Sequence, residues 1–120
     1  MELTGNIRKI DYDKIIDIER IEFRDTNHNI NGYIEIPRSI ASFEGSSSIS
    51  VLITDETQDY SSDTKIVFNS TLYLVRRDTE INENRVIQFS AGGLLLRLIT
   101  ENTKSPFRLR GNRKFKIIVN

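Results

Sequence analysis

Ser90-Ala91-Gly92-Gly93-Leu94-Leu95-Leu96-Arg97-Leu98-Ile99 is the most apolar run of this chain, with two adjacent glycines near its start and one arginine inside it. Glycine alone reaches positive φ without a steric penalty, so a glycine pair between apolar segments reads as a tight turn or a bulge. Leu94 to Ile99 has the length of a strand and is far too short to span a membrane. Apolar residues in both phases predict burial on both faces. Arg97 is the odd member, because a guanidinium in such a strand must find an anion, carbonyls or solvent. Two readings follow from these residues. Either Arg97 snorkels or pairs within the fold, or it reaches across to another macromolecule.

Outward from this strand, nearly every periodic segment is β-like. Ile30, Gly32, Ile34 and Ile36 alternate with Asn31, Tyr33 and Glu35, and Pro37 ends the run. Ile49, Val51 and Ile53 alternate with Ser50, Leu52 and Thr54. Lys65 to Arg76 is a long strand with Ile66, Phe68, Ser70, Leu72 and Leu74 on one face and a bend expected around Asn69-Ser70. Val86 to Ala91 precedes the glycine pair. Lys114 to Val119 closes the chain, with Phe115, Ile117 and Val119 in phase. In Ile15 to Phe23 the apolar phase switches from Ile16 and Ile18 to Ile21 and Phe23, which predicts a β-bulge near Glu19 or Arg20. Residues 37–43 have room for one helical turn, while Asp25 to Asn29, Phe43 to Ser47 and Asp78 to Asn84 read as turns. Asp55 to Asp63 reads as an acidic loop and Asn102 to Asn112 as a long basic one. About seven short strands in one small domain predict an all-β fold, an antiparallel barrel or sandwich, and closure of a barrel hides the strand edges.

With 120 residues, residues 1–120 are expected to form one domain. Its 17 basic and 17 acidic side chains cancel, so no global field draws it to nucleic acid or membrane. The distribution is uneven, with a net of −5 over residues 1–100 and +5 over residues 101–120. No signal peptide is evident at the N-terminus, and a soluble cytoplasmic protein is expected. The isoleucine-rich, cysteine-free composition fits a thermophile or an AT-rich genome equally well.

Chemistry-bearing constellations are scarce. Absence of cysteine removes disulfides, thiolate zinc sites and thiol nucleophiles, and His28 is the single histidine, in an asparagine-rich turn where exposure is expected. Asp55, Glu56, Asp59 and Asp63 lack the ligand spacing and glycine of a calcium loop. Ser46 to Ser48 have no nucleophile-elbow setting, and Gly92-Gly93 lacks the lysine of a phosphate-cradling loop. No catalytic residue, metal, cofactor or small-molecule substrate is therefore expected. Binding remains. Lys104, Phe107, Arg108, Arg110 and Arg113, with Lys114, Phe115 and Lys116, interleave cations and aromatics, a pattern that can track a phosphate backbone or meet an acidic protein. The same residues could equally be core phenylalanines among solvated charges.

Three segments in order carry a family resemblance: Tyr12-Asp13-Lys14-Ile15-Ile16-Asp17-Ile18-Glu19-Arg20, Ser70-Thr71-Leu72-Tyr73, and Gly92-Gly93-Leu94-Leu95-Leu96-Arg97-Leu98. Together they resemble the eighth subunit of eukaryotic DNA-directed RNA polymerases and its counterpart in the archaeal enzymes. The glycine-glycine-leucine-leucine-x-arginine-leucine string is the most specific part, and Phe115 to Val119 is similar to the family's closing strand. The eukaryotic members' insertion after the strand matching Ile49 to Ile53 is absent, so the chain is closer to the archaeal form. The resemblance implies an eight-stranded, OB-like antiparallel barrel. It further implies a non-catalytic subunit docked on the largest polymerase subunit, where the nucleotidyl-transfer residues lie. The competing expectation is a free-standing OB-like module that binds single-stranded nucleic acid through its basic C-terminal segment. For contact with a partner the candidates are Arg97, Lys104, Phe107, Arg108, Arg110 and Arg113, with the Asn102 to Asn112 loop favoured over Arg97.

Overall fold

A computed structural model describes residues 2–55, 66–77, 85–100 and 114–120. They form β1 (Glu2–Asp13), β2 (Ile18–Asp25), β3 (Ile30–Pro37), β4 (Ser48–Asp55), β5 (Ile66–Arg77), β6 (Arg85–Ala91), β7 (Leu94–Thr100) and β8 (Lys114–Val119), with no helix among the described residues. Every pairing is antiparallel. The sheet closes on itself in the order β1-β2-β3-β7-β6-β5-β8-β4, as expected for an all-β barrel and compatible with an OB-like fold. Closure depends on two long strands that each change partner midway. β1 gives its first residues to β4 and the rest to β2, and β5 pairs first with β8 and then with β6.

β1 is the strand that the hydrophobic pattern hides. Leu3 and Gly5 face the core, Ile7 is half-buried, and then Arg8 and Lys9 are both exposed before Ile10 and Tyr12 turn inward. The register accordingly jumps between Ile7, opposite Phe23, and Lys9, opposite Glu22. One extra residue in β1 flips the side-chain phase, so alternation never runs long enough to read as a strand. This relocates the bulge expected near Glu19 or Arg20. β2 runs without interruption against β3 from Ile18 to Asp25, with Glu19, Ile21, Phe23 and Asp25 all buried. Ile15 and Ile16 belong to the preceding turn, where Ile15 is 95% exposed. The apparent phase switch was a turn followed by a strand whose first inward residue is a glutamate.

That glutamate is 0% exposed. It accepts hydrogen bonds from Arg38 Nε at 2.8 Å, Ser42 Oγ at 2.6 Å and the Phe43 backbone amide at 2.8 Å. All three donors lie on the β3–β4 connection, which is thereby held across one end of the barrel with Phe43 in the core. Residues 37–43 contain the single turn for which the sequence has room, with the Ile40 and Ala41 amides donating to the Pro37 carbonyl. The adjoining β1–β2 turn locks to the same segment. Arg38 and Ser39 donate backbone amides to Asp17, Tyr12 donates its hydroxyl to Asp17, and the Arg38 guanidinium lies 3.6 Å from the Tyr12 ring centroid. Burial alone pushes the Glu19 carboxyl up, but the hydrogen bonds from Ser42, Phe43 and Arg38 and the Arg38 charge outweigh it, leaving it below its ordinary value. At the opposite end of β2 the buried Asp25 is balanced in the same way, by His28 and by the backbone amides of His28 and Thr4. His28 itself is exposed, as its turn setting predicts.

Phe23 sits between two glycines on flanking strands. A Cβ at Gly5 or at Gly32 would overlap its ring, so both positions must lack a side chain for the aromatic to lie across the sheet. Between β6 and β7, Gly92 and Gly93 have φ of 57° and 90° and Ala91 pairs with Leu94, a two-residue hairpin turn in which both residues need positive φ. β7 is not buried on both faces. Leu96, Leu98 and Thr100 face inward, while Leu95, Arg97 and Ile99 are half-buried on the outside. The doubly buried stave is instead β6, where Val86, Ile87, Gln88 and Phe89 are all buried. In β5 the irregularity falls between Leu72 and Leu74, not at Asn69-Ser70. The expected loops at Asp55 to Asp63, Asp78 to Asn84 and Asn102 to Asn112 lie wholly or almost wholly outside the described residues.

Three outcomes follow. Gly32→Ala lowers stability by about 1–3 kcal/mol through overpacking, and a second change, Phe23→Leu, recovers part of that loss in a denaturation cycle. Gly93→Val also costs about 1–3 kcal/mol, from backbone strain, since no atom lies within 4 Å of a Cβ there. Gly93→Asn, which tolerates positive φ, keeps most of the stability. Glu19→Gln loses about 1.5–3 kcal/mol at pH 7. Because the folded carboxyl lies below its unfolded value, its contribution is full above about pH 4.3 and fades as pH falls through the folded value. Denaturation at pH 7 and pH 3 should therefore show the variant and the parent chain converging in acid.

Candidate functional site

The structure divides the Gly92 to Leu98 string among three tasks. Gly92 and Gly93 make the hairpin turn, Leu96 and Leu98 enter the core, and Leu94, Leu95 and Arg97 remain half-buried. Arg97 is thus the member of the string with a polar side chain to offer. It lies opposite Tyr33 of β3 on one side and Gln88 of β6 on the other. Its guanidinium carbon is 5.8 Å from the centre of the Tyr33 ring, within reach of the cation–π attraction. Its Nε is buried and has no hydrogen-bond partner among the described residues.

Beside it runs a groove of about 280 Å³ lined by Arg8, Glu22, Phe23, Asn31, Gly32, Tyr33, Arg97 and Ile99. Four strands build it. Arg8 comes from the bulge of β1, Glu22 from β2, Asn31 and Tyr33 from β3, and Arg97 and Ile99 from β7. The β3–β7 ladder extends only as far as Ile34 opposite Leu96. Beyond it the Leu95 amide donates to Glu35 Oε1 at 2.9 Å, a side chain standing in for a ladder carbonyl. Glu35 also accepts from the Tyr33 hydroxyl at 3.1 Å and lies 3.5 Å from Arg20 Nε, which in turn pairs with Asp13. Burial, then the Glu35 charge and its hydrogen bond, push the Tyr33 hydroxyl up against the opposing pull of Arg20, so Tyr33 stays a neutral donor. The nearby carboxylate at Glu35 is committed to Arg20, Tyr33 and Leu95, and Arg97 receives none of it.

Arg97 is therefore the described member of the six candidate partner contacts, and it stands at a groove. Lys104, Phe107, Arg108, Arg110 and Arg113 lie outside the described residues. Tyr33, Asn31 and Arg8 join the site without having been singled out by sequence. Tyr33 and Asn31 were legible as the polar face of β3, but their approach to Arg97 follows from a register between strands more than sixty residues apart. Among the described residues no group of three or more histidine, aspartate or glutamate side chains could hold a metal ion, and no helix is long and apolar enough to cross a membrane. What the arrangement offers chemically is a positive, partly desolvated donor edge beside an aromatic face. No family model matches this chain, and no curated protein matches it.

Proposed function

We propose that this chain is a non-catalytic accessory subunit of an archaeal-type DNA-directed RNA polymerase, docked on the largest subunit and contributing to assembly or stability of the transcription complex. The observation that carries the reading is the string Gly92-Gly93-Leu94-Leu95-Leu96-Arg97-Leu98, in order with the Tyr12 to Arg20 and Ser70 to Tyr73 segments. An eight-stranded closed antiparallel barrel is the architecture that this resemblance implies, which supports it. Arg97, outward-facing and with no ion pair among the described residues, suits a chain that works in contact with another. Nucleotidyl transfer in this reading belongs to other chains, the protein binds no cofactor or small substrate, and it resides in the cytoplasm. The net charge of +5 over residues 101–120 favours a second reading, a free-standing module binding single-stranded nucleic acid through Lys104, Arg108, Arg110 and Arg113.

A tagged copy expressed in its host should retain the large polymerase subunits through purification. Recovery of the tagged protein alone, with complete polymerase in the unbound fraction, overturns the first reading. Salt-sensitive oligonucleotide binding that weakens when Arg108, Arg110 and Arg113 become alanine would establish the second.

A further inference from the structure

We propose that the groove beside Arg97 is a socket for a single carboxylate carried on an extended polypeptide segment of the partner. The accessory-subunit reading supplies only the identity of that partner. Arg97 Nε is removed from water and has no hydrogen-bond partner among the described residues. A guanidinium cannot relieve this by losing its proton, so a buried donor of this kind stays unsatisfied until an acceptor arrives. The fold brings carboxylates close without offering one. Glu35 is occupied by Arg20, Tyr33 and the Leu95 amide. Glu22, on the groove wall, makes no ion pair with Arg97.

Geometry and charge choose the occupant. A guanidinium carries paired, parallel N–H donors, the match for one carboxylate, and Arg97 lines the groove. Arg8 adds a second cation to the wall, Asn31 an amide, and Tyr33 and Ile99 apolar surface for the residues flanking the acid. A nucleic-acid strand fits poorly, because a run of phosphates along this face would pass Glu22 and Glu35 with only Arg8 and Arg97 to neutralise it. One carboxylate between apolar neighbours avoids that repulsion. Gly32 and Phe23 floor the groove, and Arg8 stands on its wall.

The test reads the Arg97 Nε–Hε signal in a ¹⁵N–¹H spectrum of the full chain, assigned by its loss in Arg97→Lys. A blocked Val-Glu-Val tripeptide, its Val-Gln-Val counterpart and an oligothymidylate are titrated in turn. The expected result is a saturable shift with the glutamate peptide and binding at least tenfold weaker with the glutamine one. Absence of a shift, equal shifts with both peptides, or a stronger response to the oligothymidylate overturns the socket. A second arm compares polymerase capture in the host by the tagged parent chain and by Arg97→Gln, after melting has shown that the variant folds. At least tenfold less polymerase on the variant supports the socket, and equal capture overturns it while leaving the accessory-subunit reading intact. Peptide binding with no polymerase captured by the parent chain keeps the socket and removes that reading instead.

Discussion

Glu19 places an ionised carboxylate at the start of β2 with no solvent around it, and one end of the barrel is arranged to satisfy it. An unpartnered charge at that depth would be prohibitive, so the β3–β4 connection must bring Arg38, Ser42 and the Phe43 amide to it. Once they are there, Phe43 has only the core to enter. Arg38 is then fixed over Tyr12, and Asp17 ties the β1–β2 turn to the same segment. A single buried charge therefore couples the first four strands, although hydrophobic burial supplies most of the energy that folds them. Its role is one of geometry. The pair of Glu19 and Arg38 decides which loop covers the barrel end and in what position.

Farther along β2, Phe23 sets a second constraint. Its ring needs glycine at positions 5 and 32, which leaves flanking strands with no side chain at those points. The bulge at Arg8 lies next to this packing and swings β1 into its second register. Phe23, Gly32 and Arg8 all line the groove on the outer wall, and β7 delivers Arg97 to it. The groove thus shares Phe23 and Gly32 with the packing of the core.

Arg97 shows how a short apolar string can mix structural and surface duties. Strand alternation sends Leu96 and Leu98 into the core and Arg97 the other way, so a charge embedded among leucines need not be a buried charge. The run of leucines on both phases had implied burial on both faces. The outer leucine and isoleucine of β7 are only half covered, whereas β6, with its plainer sequence, is the strand enclosed on both sides. Hydrophobicity reported how much apolar surface the strand carries, and its position in the barrel decided how much of that surface is covered.

Local alternation was enough to determine the class of fold, seven of the eight strands and the hairpin turn at Gly92-Gly93, because these depend on residues within reach of one another along the chain. It failed at β1, where Gly5 counts as apolar only beneath Phe23 and the extra residue at Arg8 reverses the phase. It also failed at Glu19, whose inward position no hydropathy rule would assign. In both cases the residue's environment is made by a different strand. The approach of Tyr33 to Arg97, the commitment of Glu35 to Arg20, and the groove assembled from four strands were likewise decided only by tertiary structure. Strand register is a long-range property, set by which core side chains interlock, and a one-residue change in it moves every side chain to the opposite face.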